Sequence, residues 1–174
     1  MLDTPARPEP RPDHRLEALL LRAEVEAFNN AYCADLDAQR LEEWTTYFTE
    51  DGFYSVISRE NHDAGFPVGL IHCEGRDMVR DRAFALLKTA MFGPRYLRHM
   101  VSNTVIEAPS ADGSFAARAN YVVFEVLTDR PDARILQLGQ YQDRFRRVDG
   151  VLKLAERRCI YDNLLVPTAL CIPV

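Results

Sequence analysis

The sequence has no long run of hydrophobic residues among its 174 positions. A membrane-spanning helix needs roughly 20 consecutive apolar residues to cross the hydrocarbon core of a bilayer. The first residues, MLDTPARPEPRPDHR, also lack the apolar stretch that is typical of a secretory signal. We therefore expect a cytoplasmic protein that makes no use of a membrane.

Positive charge and cysteine are both scarce. Lysine and arginine number 21 against 26 acidic residues, which leaves a net charge of −5 and argues against a nucleic-acid partner, because binding phosphates needs a basic face. The four cysteines lie far apart, and no two of them form a Cys-x-x-Cys motif. In a cytosolic chain we expect them to be reduced and to pack as small hydrophobic side chains. They are Cys33, Cys73, Cys159 and Cys171.

Motifs for cofactors and covalent catalysis are missing as well. The sequence contains no glycine-rich phosphate loop, no Gly-x-Ser-x-Gly and no His-Glu-x-x-His. His62 and His72, with Asp63, Cys73 or Glu74, offer atoms that could bind iron, which often takes two histidines and a carboxylate. Nine residues separate the two histidines, however, and that spacing fits no helix or strand pairing. We expect no metal and no cofactor in this chain.

The pattern of prolines and apolar residues predicts one domain at 13–174 behind a disordered or extended arm at 1–12, which holds four prolines. Helices are predicted at about 13–36, 41–48 and 76–91, and a polar loop at 59–67. Strands are predicted at about 53–58, 68–72, 95–107, 115–128, 134–148 and 152–164. Helices followed by long hairpin-connected strands indicate an α+β protein with about three helices on one side of a strongly curved sheet.

Two apolar stripes run along the predicted helix at 13–36, with Glu17 and Glu24 between them. One stripe consists of Leu16, Leu20, Ala23, Ala27 and Ala31. The other consists of Leu21, Val25, Phe28 and Tyr32. Two stripes allow the helix to contact both the sheet and a second chain, but they also fit a single wide core face from which the two glutamates reach water.

His99 is the best candidate for a general acid or base. It follows Arg98 in a predicted strand, so the two side chains point to opposite faces, and His99 shares the inward face with Leu97 and Val101. A histidine inside the curved sheet could exchange a proton with the help of an aspartate and a tyrosine, or it could be a core residue with a satisfied hydrogen bond. The candidate partners are Asp143 or Asp51 and Tyr121 or Tyr32.

Charged residues concentrate at 74–82 and in the last predicted strand, where Glu156, Arg157 and Arg158 are consecutive. Such clusters often form a solvated surface, but arginine also favours interfaces, and charges inside a strand often protect a sheet edge or meet a partner. We predict an interface at these charges. Its candidate residues are Arg76, Asp77, Arg80, Asp81, Arg82, Arg98, Glu156 and Arg158.

Residues 44–174 resemble the small (beta) subunit of aromatic-ring-hydroxylating dioxygenases. The resemblance rests on WTTYFTEDGFYSV, RENHDAG, GLIHCEGRDMVRDR, PRYLRHMVSN, ANYVVFEV, GQYQDRF and LAERRCIYDNLLVPTALCIPV, in that order. It implies a cone-shaped α+β fold of the cystatin-like or nuclear transport factor 2-like type. The loop RENHDAG is more similar to members that act on aromatic carboxylates than to members that act on unsubstituted hydrocarbons.

The resemblance also implies a partner and a role. The family assembles with a large (alpha) subunit, usually three of each around a threefold axis, and copies of the small subunit also contact one another. The alpha subunit carries a Rieske [2Fe–2S] cluster, a mononuclear iron and the substrate pocket, and NAD(P)H supplies electrons through a separate reductase. The small subunit is then structural and non-catalytic. The alternative is a stand-alone dehydratase or isomerase of the same fold that uses His99, Asp143 and Tyr121.

Overall fold

The computed structural model describes residues 12–89, 92–166 and 172–174. Within these residues the helices are α1 (Pro12–Asp37), α2 (Leu41–Trp44), α3 (Arg59–Asp63) and α4 (Arg76–Lys88), and a 3-10 turn (Thr45–Tyr47) follows α2. The strands are β1 (Phe48–Ser58), β2 (Ile71–Glu74), β3 (Arg95–Ile106), β4 (Phe115–Leu127), β5 (Ala133–Val148) and β6 (Val151–Tyr161). The predicted arm and Cys171 lie outside the described residues, except for Pro12, where α1 begins.

The six strands form one mixed, curved sheet in the order β2-β1-β6-β5-β4-β3. All neighbours are antiparallel except β1 and β6, which pair in parallel and so join the first half of the chain to its end. Bulges interrupt β1/β6, β3/β4, β4/β5 and β5/β6. Bulges bend a strand and increase its twist, which explains how long strands curl around the helices as a cone. The predicted α+β class is confirmed.

The register places one inward-facing row directly across the cone. Asp143 on β5 pairs with Ala117 and with Arg157, Arg157 pairs with Tyr54 on β1, and Tyr54 pairs with Cys73 on β2. Directly paired residues share one face of a sheet, so all five point to the same side. The helices cover that side, and the core lies between them and the sheet.

Helix α1 buries only one of its two apolar stripes. Val25 and Tyr32 are fully buried, and Leu21 and Phe28 pack against the core at its edge. On the other stripe Leu16 is 60% exposed and Leu20 61% exposed, and the three alanines are exposed too. The two stripes are therefore distinct surfaces rather than one wide core face.

Two local predictions differ from the structure, and a third agrees with it. β1 begins at Phe48 rather than at about residue 53. The sequence does not predict the first part of this strand, because the exposed residues Glu50 and Asp51 interrupt the apolar alternation that marks a strand. The predicted loop at 59–67 contains α3, which begins where the side chain of Ser58 accepts a hydrogen bond from the Asn61 N–H. The β5–β6 turn agrees with prediction, since Asp149 and Gly150 both have positive φ, as a two-residue hairpin turn requires.

Candidate functional site

Aromatic side chains fill the interior of the cone. The ring centroids of Trp44 and Tyr54 lie 5.3 Å apart, those of Trp44 and Phe48 5.5 Å apart, and Tyr121 stacks on Tyr141 at 4.4 Å. These distances are those of direct ring contact. The concavity in which a stand-alone enzyme would bind substrate is therefore occupied by the chain itself. The fully buried aromatic residues are Tyr32, Trp44, Phe48, Tyr54, Tyr141 and Phe145.

A buried guanidinium lies at the centre of this interior. Arg157 donates from Nε and Nη2 to the two carboxylate oxygens of Asp143, at 2.9 and 2.7 Å, and Nη2 also donates to Oδ1 of Asn29 at 2.6 Å. Its Cζ atom lies 4.2 Å from the ring centroids of both Tyr32 and Tyr141. Two hydrogen bonds to the carboxylate and two aromatic faces together hold this charge away from water.

The electrostatics of the interior favour a charged Arg157 and neutral phenols, whereas burial raises the pKa of the Asp143 carboxyl above its usual value. Desolvation acts to lower the pKa of Arg157, but the charge and hydrogen bonds of Asp143 outweigh it and hold that pKa well above its usual value. Burial raises the pKa of Tyr54 and of Tyr141 well above the usual tyrosine value. The phenols are therefore hydrogen-bond donors, and none of them is an available base near neutral pH.

The last residues of the sequence also lie in this interior. Val174 is fully buried and Ile172 is 3% exposed. The carbonyl oxygen of Val174 accepts hydrogen bonds from the hydroxyls of Tyr32, at 3.2 Å, and Tyr54, at 3.0 Å. The N–H of Val174 donates back to the Tyr54 hydroxyl at 3.0 Å. Sequence analysis does not predict this contact, because Val174 lies 120 positions beyond Tyr54 in the chain.

His99 points inward, as predicted, but its carboxylate partner is Asp37. The imidazole Nδ1 lies 2.7 Å from Oδ1 of Asp37, and the backbone N–H of His99 donates to the same carboxylate at 3.2 and 3.3 Å. The side chain of His99 is fully buried, and its Nε2 has no hydrogen-bond partner. Asp37 ends α1 and nothing in the sequence distinguishes it from other surface aspartates, so sequence analysis missed it.

The residues predicted to assist His99 are engaged elsewhere. Asp143 binds Arg157, and the Tyr121 hydroxyl donates to Oε1 of Gln137 at 2.8 Å. Asp51 forms a surface ion pair with Arg146, and Tyr32 bonds to Val174. The predicted combination of His99, Asp143 and Tyr121 is therefore not joined by hydrogen bonds, since each of the three has a different partner.

A second buried carboxylate ties three strands together. Glu125 on β4 is fully buried and accepts hydrogen bonds from Nη1 of Arg95 on β3 and Nε of Arg134 on β5, both at 2.7 Å. Sequence analysis missed this cluster, because Arg95 belongs to a charged stretch and Glu125 interrupts an apolar strand without a visible partner. Both arginines compensate the buried charge, so the cluster needs no ligand.

The charged residues predicted to form an interface lie at three places, on α4, at Arg98 of β3 and on the outer face of β6. On α4, Arg80 pairs with Asp77 at 2.9 Å, Arg76 pairs with Glu50 of β1, and Asp81 is exposed. Arg82 is half-buried and Arg98 is exposed, with Nη1 donating to the Leu97 carbonyl. Glu156 and Arg158 pair on the outer face of β6, where Arg158 lies over the ring of Phe53.

The position of β6 and the burial of Arg157 show that the charges of β6 do not protect a sheet edge. β6 lies between β1 and β5, so its charged residues do not protect a sheet edge. Alternation directs Arg157 into the core, whereas Glu156 and Arg158 face outward. Only the outward pair stays a candidate for an interface.

Exposed apolar side chains form two further surfaces. One is the N-terminal part of α1, where Leu16, Leu19 and Leu20 are each at least 60% exposed. The other is the outer face of the sheet, where Val122 of β4 pairs with both Met100 and Leu138. Exposed apolar clusters of this kind mark contact surfaces. The large exposed residues of the sheet cluster are Tyr96, Met100, Ile135 and Leu138.

The described residues contain no group of three histidines, cysteines or acidic residues that could hold a metal ion. His62 pairs with Asp63 at 3.0 Å and His72 with Glu74 at 2.9 Å, so the two histidines belong to separate pairs. In the same part of the chain, no helix combines the length and hydrophobicity that crossing a membrane requires.

The sequence of this chain is similar to one known protein family and to the small subunits of several oxygenases. Residues 17–158 match the family described as the SnoaL-like domain. The anthranilate 1,2-dioxygenase small subunit of Burkholderia cepacia is 36% identical over 151 residues, which are 87% of this chain and 92% of that protein. Terephthalate 1,2-dioxygenase, terminal oxygenase component subunit beta 2, of a Comamonas species is 29% identical over 87% of this chain and 97% of that protein.

One crystal structure shows the same fold at similar identity. It is a Novosphingobium aromaticivorans chain described as the beta subunit of an aromatic-ring-hydroxylating dioxygenase. It superposes with a TM-score of 0.81 and 37% identity, over 90% of this chain and 99% of that one. The likeness therefore extends along nearly the whole length of both chains.

Proposed function

The chain belongs to the SnoaL-like domain family and to the small subunits of aromatic-ring-hydroxylating dioxygenases, and we propose that it serves such an oxygenase as a structural, non-catalytic subunit. The observation that carries the proposal is 36% identity across 92% of the anthranilate 1,2-dioxygenase small subunit. The filled cone agrees with it, because a structural subunit needs no substrate cavity. The chain then takes part in an oxidoreductase reaction only through its complex.

The proposed partner is the large, alpha subunit of the oxygenase, with three copies of each chain around a threefold axis. We assign the Rieske [2Fe–2S] cluster, the mononuclear iron and the substrate pocket to that large subunit, and the electron supply to NAD(P)H and a separate reductase. His62 and His72 do not fit either iron site, since each pairs with a single neighbouring carboxylate. We also propose a single domain at 13–174 and a cytoplasmic location, to which the free thiols of Cys33, Cys73 and Cys159 lend support.

Two kinds of surface support an assembly role. The exposed stripe of α1 offers apolar contact area that the chain's own core does not use. The charged residues of α4 and the Glu156–Arg158 pair offer polar contacts at other places on the cone. Interfaces combine an apolar centre with a polar rim, so we propose that these surfaces are shared between large-subunit and small-subunit contacts.

We further propose that the complete oxygenase acts on an aromatic carboxylate. Anthranilate and terephthalate, named for the two relatives above, are both benzene rings that carry a carboxylate. The resemblance of the segment RENHDAG to members that act on aromatic carboxylates agrees with this proposal. Turnover of benzoate-type acids compared with naphthalene by the reconstituted oxygenase tests the proposal, and a preference for the hydrocarbon contradicts it.

Co-expression with the large subunit tests the assembly role. We expect the two chains to co-elute on a sizing column at the mass of a hetero-oligomer, and we expect iron to follow the large subunit. Oxygenase activity should require both chains. If this chain elutes alone, and the large subunit is fully assembled and active without it, the proposed function is wrong.

One observation favours a second candidate, a stand-alone acid–base enzyme. The buried His99–Asp37 pair leaves Nε2 of the imidazole without a partner, as a proton-transferring histidine would need. We compare His99→Gln with wild type in the assembled oxygenase. A structural histidine predicts lower thermal stability and unchanged turnover per iron centre. Lost turnover in an intact assembly, or dehydratase activity of the isolated chain that His99→Gln abolishes, would instead support the second candidate.

A further inference from the structure

The outer face of the sheet carries a basic cleft where β4, β5 and β6 lie side by side. Arg118 of β4 pairs with Gln142 of β5, and Gln142 pairs with Arg158 of β6, so the three residues form one row across the strands. Arg144 lies two residues beyond Gln142 in β5 and therefore points to the same face. All four residues line a cleft of about 350 Å³.

Two of these arginines have no counter-charge within the chain. In the described residues, no side chain forms an ion pair or a hydrogen bond with the guanidinium of Arg118 or Arg144. Their neighbours in β5 differ, since Arg146 and Arg147 each bind an acidic residue of another element. An exposed arginine without a counter-charge keeps its N–H donors available for a ligand.

The acidic residues near the cleft do not neutralise it. Glu156 is bound to Arg158, and Glu107, which follows β3, is exposed and forms no ion pair with either unpaired arginine in the described part of the chain. Asp112 of the β3–β4 turn accepts hydrogen bonds from the N–H and the hydroxyl of Ser114. Three arginines against two glutamates give the cleft an excess of one positive charge, in a chain whose net charge is −5.

The spacing of the cleft suits a carboxylate. Arg118 and Arg144 are diagonal neighbours on adjacent strands, so their Cβ atoms lie roughly 7–8 Å apart. Two like charges at this distance repel each other, and a carboxylate between them removes the repulsion. A guanidinium binds both oxygens of a carboxylate through parallel N–H donors, and the amide of Gln142 offers one more donor. Ala116, directly opposite Arg144, leaves the floor of the cleft open.

We propose that Arg118, Gln142 and Arg144 bind an acidic segment of the large subunit, whose carboxylates supply the counter-charge that this chain lacks at the cleft. The inference rests on the proposed function, because it takes the large subunit as the partner. Symmetric contact with a second copy through the same face would place these arginines opposite one another. A local positive site on an acidic chain fixes the orientation of an acidic partner and raises its association rate.

Single charge reversals test the cleft in the reconstituted oxygenase. We measure the dissociation constant of the large subunit from wild type, Arg118→Glu and Arg144→Glu, and expect each reversal to raise it at least about tenfold. Arg130→Glu is the matched control, because Arg130 is exposed at the β4–β5 turn and the substitution changes the charge equally. Its dissociation constant should stay within about twofold of wild type, and about 0.5 M salt should reduce the differences among the variants.

The outcomes separate this inference from the proposed function. A wild-type chain that does not bind the large subunit contradicts both. Wild-type binding that Arg118→Glu and Arg144→Glu weaken no more than Arg130→Glu does contradicts the inference alone. Self-association of the isolated subunit that the two reversals abolish would make a second copy the occupant and would also overturn the proposal.

Peptide probes test the chemistry of the cleft on the isolated subunit. We expect acetyl-tetraglutamate amide to shift the NMR signal of the Gln142 side-chain amide in a saturable manner, and acetyl-tetraglutamine amide to leave it unchanged. Arg118→Glu should abolish the response, whereas Arg130→Glu should retain it. A response to both peptides, or to neither, contradicts a carboxylate-binding cleft.

Discussion

At the scale of single residues, the most important feature for stability is the buried ion pair between Arg157 and Asp143. Arg157 is fully buried, and its partner Asp143 is 5% exposed. Each charge is compensated by the other, and two tyrosine rings enclose the guanidinium. Removing one member of such a pair is more damaging than removing both, because the survivor is left buried and uncompensated.

We predict that Arg157→Met lowers the free energy of unfolding by about 3–5 kcal/mol, since Asp143 then has no counter-charge. The double variant Arg157→Met/Asp143→Leu should lose less, because neither charge is left. Urea unfolding of the isolated subunit measures both. A double variant that is no more stable than the single variant would show that the tyrosine contacts, rather than the charge pair, carry the stability.

The cysteines give a second test at this scale. Burial raises the pKa of the Cys33 thiol to about 12, so almost no thiolate is present at pH 8. We predict that Cys33 in the native protein reacts with iodoacetamide at least roughly 100-fold more slowly than a free thiol, and at the normal rate in guanidinium. Peptide mapping by mass spectrometry reads out the site. Rapid labelling of Cys33 without denaturant would contradict its burial.

At the scale of elements, α1 divides its two apolar stripes between two tasks. The stripe with Val25 and Tyr32 packs on the sheet, and the stripe with Leu16 and Leu20 faces solvent in the single chain. An exposed leucine contributes little to the stability of the chain that carries it. Mutations in the outer stripe should therefore weaken assembly without lowering the stability of the isolated chain.

We predict that Leu16→Glu/Leu20→Glu leaves the melting temperature of the isolated subunit within about 2 °C of wild type, because surface changes rarely exceed 0.5 kcal/mol. The same variant should lose most of its association with partner chains in the sizing experiment. Val151→Glu is the matched control, since Val151 is 56% exposed at the β5–β6 turn. Unchanged assembly of the double variant would exclude the α1 stripe as an interface.

The close approach of β5 and β6 gives another test at this scale. A Cβ atom on Gly139 would lie 2.0 Å from the carbonyl oxygen of Ile160 on the neighbouring strand. Backbone cannot yield as a side chain does, so we predict that Gly139→Ala lowers the free energy of unfolding by more than about 2 kcal/mol. Gly113→Ala is the contrasting variant, because its added Cβ meets nothing but its positive φ still disfavours alanine. A loss at Gly139 no larger than the loss at Gly113 would contradict the predicted clash with Ile160.

At the scale of the whole molecule, surface ion pairs hold distant segments together. Glu24 of α1 binds Arg147 of β5, and Asp51 of β1 binds Arg146 of the same strand. The hydrogen bond from Arg147 lowers the pKa of Glu24, and hydrogen bonds from Thr49 and then Arg146 lower that of Asp51. The ionised carboxylates are therefore favoured in the folded state.

The sign of the pH dependence follows from these lowered pKa values. The stabilisation is present above the unfolded pKa values of 4.5 and 3.8 and is lost as pH falls through the lower folded values. We predict that Glu24→Gln/Asp51→Asn costs about 0.2–1 kcal/mol for each exposed pair at pH 7 and almost nothing near pH 2. Urea unfolding at both pH values measures the difference. A cost that persists at low pH would mean that packing, not charge, is responsible.

Prediction from sequence succeeded where the chemistry is local. Asp149 and Gly150 form the expected turn, β3 to β6 lie close to their predicted bounds, and His99 has the predicted inward orientation. It failed where a residue's partner is far along the chain. Asp37, Glu125 and Val174 each acquire their role from a contact more than eight residues away, and composition does not identify such a contact.

The sequence by itself indicated the family through its resemblance to the small subunits. It also predicted the α+β class and the inward face of β3 that His99 shares with Leu97, because periodicity and turn chemistry depend on neighbouring residues. Only the tertiary structure decided what those inward residues do. The parallel pairing of β1 with β6 brings Tyr54 beside Arg157, and the curvature of the sheet closes Tyr32, Cys159 and Val174 around it. Such contacts arise from the curvature of the sheet around the helices, so they exist only in the folded chain.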